Sequence, residues 1–432
     1  MSWINNMLQA FCEVSTPTDF RDLIEQARQA DKEYFDGKDI LALEKALAVG
    51  ESITKAPNFV GAPPSFQVAA LGRSAILRFY RHCKGKQLED LDRALQCWEE
   101  ATRVAPADFP VISALFASLA VTFAGRFQVN GETGDMQRAI AAFEQAIAHM
   151  SGNSPDLPDV LWNFAFALFT KYKKTGETID LDRAISVADQ TVELRSLDAE
   201  RTPAYLDSLG TYLRTRHEKI RSNGTDLDRA VAVSQKSVDL TPREDSELAN
   251  RLFNLGAVLF DRFSSRGSLP DLDRAIGVYE SGLALVSDQS SSLKFLLKLM
   301  ESFWKRYDRE GQQADLEKSI EYLQRFTSLT SSSISSGNVA GPRLLAHMLL
   351  ERYDRTGAIQ DVEAATRLIQ TAVNRTPAGS PALPGHLQAL GNARNACYEH
   401  RVTSPIFKPL LTSINGHLTS PLRILLTVQL VS

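Results

Sequence analysis

Seven aspartates, Asp90, Asp135, Asp180, Asp226, Asp271, Asp315 and Asp361, recur at intervals of 45, 45, 46, 45, 44 and 46 residues, and each opens a version of the string Asp-Leu-Asp-Arg-Ala. Self-similarity at a fixed period of this length means that one supersecondary unit is repeated and stacked on its neighbours. The clearest copies read Leu181-Asp182-Arg183-Ala184, Leu227-Asp228-Arg229-Ala230 and Leu272-Asp273-Arg274-Ala275 after the marker. An aspartate followed by a second acid suits the start of a helix, where it caps the free N–H groups and meets the positive end of the dipole. The small residue four places on is answered seven residues later, as in Ala94 and Ala101, Ala139 and Ala146, or Ala365 and Ala372, which puts both on one face for close packing. Proline closes the segment at Pro106, Pro242 and Pro377.

The stretch before each marker carries a second helical pattern, such as Phe164, Ala165, Leu168 and Tyr172, or Leu255, Gly256, Leu259 and Phe263. Glycine follows the aromatic by four residues at Gly131, Gly176, Gly267, Gly311 and Gly357, the place where a helix ends in a left-handed residue. Each unit therefore reads as helix, short glycine loop, helix. One such hairpin cannot bury both apolar stripes alone, so units stack, and the expected product is a curved rod with a long concave face.

The pattern divides the chain into three. Residues 1–64 read as an N-terminal helical cap, with a helix around Asp19 to Phe35, a degenerate second helix at Leu43-Glu44-Lys45-Ala46-Leu47 and a Pro63-Pro64 junction. Residues 65–400 hold seven full units and a terminal half-unit in which Leu390-Gly391 and Tyr398 repeat a first helix. Residues 401–432 have no Asp or Glu and three prolines. This tail either folds back as an improvised cap or marks a truncated or altered reading of a longer protein, and an exposed half-unit invites self-association.

From about Ser65 to His400 the chain resembles tetratricopeptide repeats, through paired helices, a Leu-Gly step in the first and an alanine-rich second helix ending at proline. It departs from them in length, since those repeats run about 34 residues. In the succession of Arg-aromatic, Gly and Asp-Leu-Asp-Arg-Ala it resembles fungal tetratricopeptide-like arrays that often precede a caspase-like CHAT domain. The resemblance implies an all-α, right-handed solenoid of antiparallel helix pairs acting as a protein-interaction scaffold that holds a peptide or helix on its concave face. The alternative it implies is the sensor half of a longer CHAT-type protein. The family's catalytic His and Cys motifs have no counterpart among the seven histidines and four cysteines here. By the same resemblance, a polar residue just before the Leu-Gly step points into the groove, which makes Ser118, Asn163, Ser208 and Asn254 the candidate partner-binding residues. The plain alternative is a solvated polar position.

Two rows of bases recur with the repeat. Arg126, Lys171, Arg216, Arg262, Arg306 and Arg352 precede the first-helix aromatic, whose place His217 takes in the fourth copy. They form either a ladder for an acidic peptide or, as the bases and acids recur in step, ion pairs to the start of the following helix. Arg93, Arg138, Arg183, Arg229 and Arg274 read as a solvated outer stripe.

A net charge of −4 and a pI near 6.0 run against the basic surface that phosphate backbones require, so nucleic acid is not an expected partner. Cys12, Cys83, Cys97 and Cys397 show no paired spacing and read as reduced thiols. The Cys397/His400 pair lacks a second pair for a metal, and Cys97 beside Trp98 reads as packing. No phosphate loop, zinc-protease motif or nucleophile elbow occurs, so no enzyme, cofactor or metal is expected. With no signal segment and no apolar run near the ~20 residues that span a bilayer, a cytoplasmic protein off the membrane is expected.

Overall fold

The computed structural model describes residues 2–194, 200–220, 224–330 and 340–403. These form eighteen α-helices and no strand. The tail beyond Thr403 lies outside the described residues. The chain forms two compact units that divide between Thr241 and Pro242.

The first unit opens with α1 (Ser2–Glu13), followed by the pairs α2 (Arg21–Gly37) with α3 (Ile40–Thr54), α4 (Pro64–Gly85) with α5 (Leu88–Val104), α6 (Ile112–Asn130) with α7 (Thr133–Ala148), α8 (Leu157–Thr175) with α9 (Thr178–Glu193), and α10 (Thr202–Ile220) with α11 (Thr225–Asp239). The second unit holds α12 (Leu248–Arg266) with α13 (Leu269–Leu285), α14 (Gln289–Glu310) with α15 (Gln313–Thr330), α16 (Ala340–Thr356) with α17 (Ile359–Arg375), and α18 (Leu383–Thr403). Within each unit, every second helix also packs on the first helix of the next pair.

The repeated string explains this packing. The residue after each marker, Leu91, Met136, Leu181, Leu227, Leu272, Leu316 or Val362, is at most 1% exposed, and the small residue three further on is 0% exposed in all seven copies. One apolar and one small side chain on adjacent turns thus seat the second helix against its neighbours. The glycines do what their spacing predicts: Gly131, Gly176, Gly267, Gly311 and Gly357 have φ between 69 and 76°. Each donates its N–H to the carbonyl of the aromatic four residues back, at 2.6 to 2.8 Å.

The first helices of two pairs, α2 and α4, end on a lysine instead, with Lys38 at φ 53° and Lys86 at φ 56°. A Cβ is strained in that region, so Lys86→Gly is expected to raise stability by about 0.5–1 kcal/mol after its looser unfolded chain is discounted. The urea midpoint of the variant should move up, and an unchanged or lower midpoint refutes the assignment.

Two expectations are corrected. The marker aspartates do not cap their helices. Each helix begins earlier, so that Asp90, Asp135, Asp180, Asp271, Asp315 and Asp361 occupy its third position and Asp226 its second. The N–H of Asp135, Asp180, Asp271, Asp315 and Asp361 already donates to the carbonyl three residues back, and their carboxylates are free to turn toward the partner helix. The second correction concerns α6, which is long and apolar enough by length and composition to cross a bilayer. Half of that stretch is buried inside the protein, where α6 packs against α5, α7 and α1.

Candidate functional site

The basic row of the first helices is engaged. Arg126 donates from Nε and Nη2 to Asp135 at 2.7 and 2.6 Å, while its Nη1 reaches back 34 residues to Asp92 at 2.8 Å. Arg216 holds Asp226 at 2.8 and 2.6 Å and Asp182 at 3.0 Å. Arg306 holds Asp315 at 3.0 and 2.6 Å and Asp273 at 2.6 Å. Arg262 and Arg352 grip Asp271 and Asp361 in the same fork, and Arg81 donates from both Nε and Nη2 to one oxygen of Asp90, Oδ1. The planar guanidinium thus fastens the two helices of its own pair, and in Arg81, Arg126, Arg216 and Arg306 its third nitrogen also reaches an acid of the pair before.

Lys171 is the instructive exception. The acid that a third nitrogen would reach is replaced by Gln137, and Lys171 bonds Asp180 at 2.9 Å with Glu177 beside it. Of the two readings of this row, the structure has the ion pairs. Burial pushes the carboxyl of Asp135 up, yet the hydrogen bonds from Arg126 and Asn130, with the charges of Arg126 and Arg138, outweigh it and hold the group below its ordinary range. The second row, Arg93, Arg138, Arg183 and Arg229, is 45 to 63% exposed and makes surface ion pairs with acids on the second helices.

The four groove candidates fall in unlike settings. Ser118 is buried, with Trp3 and Ile4 of α1 beside it. Asn163 is half-buried and donates to the Asp159 carbonyl at 2.8 Å. Ser208 accepts from Trp162 Nε1 at 2.9 Å and donates to the Ala204 carbonyl at 3.0 Å. Asn254 is half-buried on α12. Within the first unit, Ser118, Asn163 and Ser208 keep separate neighbours.

An open cleft lies in the second unit, where it runs across the first helices α14, α16 and α18 and is floored in part by α15. Its volume is about 570 Å³. Leu297, Met300, Trp304, Leu344 and Leu350 make an apolar lining with Leu323 and Phe326 behind, and Arg343, His347, Gln388 and Asn392 form its polar rim. Trp304 and His347 meet edge to face with centroids 5.7 Å apart. Arg343 is exposed and makes no ion pair with any described residue.

Sequence reasoning missed these residues because it searched for polar side chains. The signal was the register itself. Leu344 and Ala389 stand immediately before Leu345-Ala346 and Leu390-Gly391, the position of Ser118, Asn163, Ser208 and Asn254 in earlier copies, and both line the cleft.

Other reactive groups have separate partners. Cys397 Sγ lies 3.8 Å from Thr366 and His400 Nδ1 lies 3.0 Å from the Tyr353 hydroxyl, so the two do not converge on one point. Among the described residues no group of three or more His, Cys, Asp or Glu is placed to hold a metal. Burial pushes the Cys97 thiol up, away from the reactive thiolate.

No protein-family model and no curated protein sequence matches the chain. Solved structures similar to it include a tetratricopeptide repeat protein, a nuclear import adaptor and RapI. A tetratricopeptide repeat protein from Parabacteroides merdae ATCC 43184 is 13% identical, with a TM-score of 0.40, covering 76% of this chain and 99% of that one. The nuclear import adaptor of S. pombe is 14% identical with a TM-score of 0.34, covering 74% and 99%. The apo form of RapI is 11% identical with a TM-score of 0.44, covering 88% and 97%.

Proposed function

We propose that the chain is a protein-interaction scaffold, and that the cleft across α14, α16 and α18 holds a peptide or helix of a partner protein by a bulky apolar side chain with an acidic group alongside. Residues 65–400 supply the stacked pairs that carry this surface, and residues 1–64 close their N-terminal side. The observation that carries the reading is the cleft itself. An apolar space of about 570 Å³ on the first-helix face, with an unpaired arginine at its rim, suits an apolar anchor and a carboxylate together. Nothing in its lining is arranged as a nucleophile with a base, which favours binding over chemistry.

Peptides selected from a random displayed library on the full chain provide the test. The selected sequences should pair a large apolar residue with Asp or Glu. Leu344→Glu should weaken them at least about ten-fold, or about 1.4 kcal/mol, and Arg343→Glu should weaken them less, in a salt-dependent way. Equal binding to a folded Leu344→Glu chain, judged by its circular dichroism, would show that the cleft is not the site.

A further inference from the structure

We propose that the cleft across α14, α16 and α18 selects phosphorylated partners: the acidic group beside the apolar anchor is the phosphoryl group of a phosphoserine or phosphothreonine in the partner's peptide. The inference rests on the reading of the cleft as a peptide site and names the chemistry of its ligand.

Charge complementarity at the rim carries it. Among the described residues that line the cleft there is no Asp or Glu, while two basic side chains, Arg343 and His347, stand there. They lie four residues apart on α16, which places them on one helix face, one turn from each other. The neighbouring first helix, α18, brings Gln388 and Asn392 to the same rim, also one turn apart. All four side chains are exposed, and Arg343, Gln388 and Asn392 make no hydrogen bond or ion pair with a described residue.

Two contacts place the bases. A Cβ on Gly385 would lie 3.1 Å from Arg343 Nη1, so the absence of a side chain in the first turn of α18 gives the guanidinium room to reach across from α16. Trp304 meets the His347 ring with centroids 5.7 Å apart and keeps the imidazole at the boundary between the apolar lining and the rim. The arginines of the repeat row are used differently. Arg126, Arg216 and Arg306 each give their donors to two aspartates of the chain. At the cleft no described acid takes that place, and in a chain of net charge −4 the rim is a local reversal of sign.

A single carboxylate neutralises one of these two bases. A phosphoryl group carries about −1.5 to −2 charges near neutral pH and three acceptor oxygens. It can therefore take the Arg343 fork, the imidazole of His347 and the carboxamide N–H groups together, with the neighbouring apolar side chain seated against Leu344.

The test is an array of synthetic peptides probed with the full chain. Each carries a leucine or phenylalanine and, within a few residues of it, serine, phosphoserine, aspartate or a Glu-Glu pair in otherwise matched sequences. Phosphoserine peptides should bind at least about ten-fold tighter than their aspartate counterparts, because one further charge-assisted hydrogen bond is worth about that much. Leu344→Glu should abolish binding of both. In His347→Gln, folded by circular dichroism, phosphoserine peptides should lose more affinity than aspartate ones, so that most of the preference disappears. Aspartate or Glu-Glu peptides that bind through Leu344 as tightly as phosphoserine ones refute the phosphoryl assignment and leave the peptide reading standing. A preference that survives both His347→Gln and Arg343→Gln refutes the rim as its source. If Leu344→Glu weakens no peptide of the array, the peptide reading falls and this inference with it. Phosphatidylcholine vesicles containing a phosphoinositide that bind through Arg343, where no phosphopeptide does, make a lipid headgroup the ligand and overturn the proposal as well.

Discussion

Arg126→Leu destabilises the first unit by about 2–4 kcal/mol at neutral pH, somewhat below the cost of orphaning a fully buried charge because Arg126 keeps some solvent exposure. The loss comes from the other partner. The Asp135 side chain is 4% exposed, and without Arg126 its carboxylate keeps only the Asn130 hydrogen bond and the more distant Arg138. The same change also cuts the link to Asp92 on the preceding pair.

The sign with pH follows from the depressed Asp135 group. A folded-state pKa below the unfolded value contributes stability that is present above the ordinary 3.8 and is lost as pH falls through the folded value. In the variant that contribution is already gone, and burial now favours the protonated acid. The difference between parent and variant therefore narrows on acidification toward and below 3.8. Urea unfolding with hydrogen exchange across α6 and α7, at neutral and at acid pH, measures it; a difference that stays constant with pH would refute the mechanism. Arg126→Lys should cost only about 1 kcal/mol, because a point charge keeps part of the Asp135 bond, as Lys171 does with Asp180.

The second large effect is expected at Gly256. A Cβ there would lie 2.5 to 2.8 Å from three carbons of the Tyr279 ring, which is 0% exposed and cannot swing aside. Phe253 and Phe295 pack against that ring with centroids at 5.7 and 6.4 Å. By helix propensity alone, Gly256→Ala gains about 1 kcal/mol. Overpacking of about 1–3 kcal/mol or more opposes that gain, and with a fully enclosed ring we expect a net loss of about 2 kcal/mol. Tyr279→Leu should recover most of the loss in the double variant, although it is destabilising by itself. If Gly256→Ala raises the melting temperature, the ring has room and the contact between α12 and α13 is looser than described.

The repeat was legible because its period and its buried positions are local properties. The small residue after each marker and the glycine after each aromatic report which face is covered and where a helix ends, and neighbouring pairs only confirm them. The role of the marker aspartate was not legible in the same way. Asp135 looks like a helix cap until the helix is seen to begin at Thr133, so its carboxylate serves Arg126 and not its own backbone. The regular spacing of bases and acids left two readings open, and distances decided between them. α1 was missed for a different reason. Trp3, Met7 and Phe11 form an amphipathic stripe, but they lie outside the repeat, and no marker draws attention to them.

The candidate site shows the same division. The register position before the Leu-small step carries side chains that run from Ser118, Asn163, Ser208 and Asn254 to Leu344 and Ala389, with Arg73 at the matching distance before Asp90. Whether such a position is covered, bonded to a neighbour or open depends on what packs across it, not on its own identity. By itself the sequence determined the helix pairs, their order and the faces they bury, since a repeat with one apolar and one small position per turn has a single way to stack. Only the tertiary structure decided that α1 lies over Arg73 and Ser118 and that α14, α16 and α18 enclose an open cleft, because the period sets the register of a position and not what packs across it.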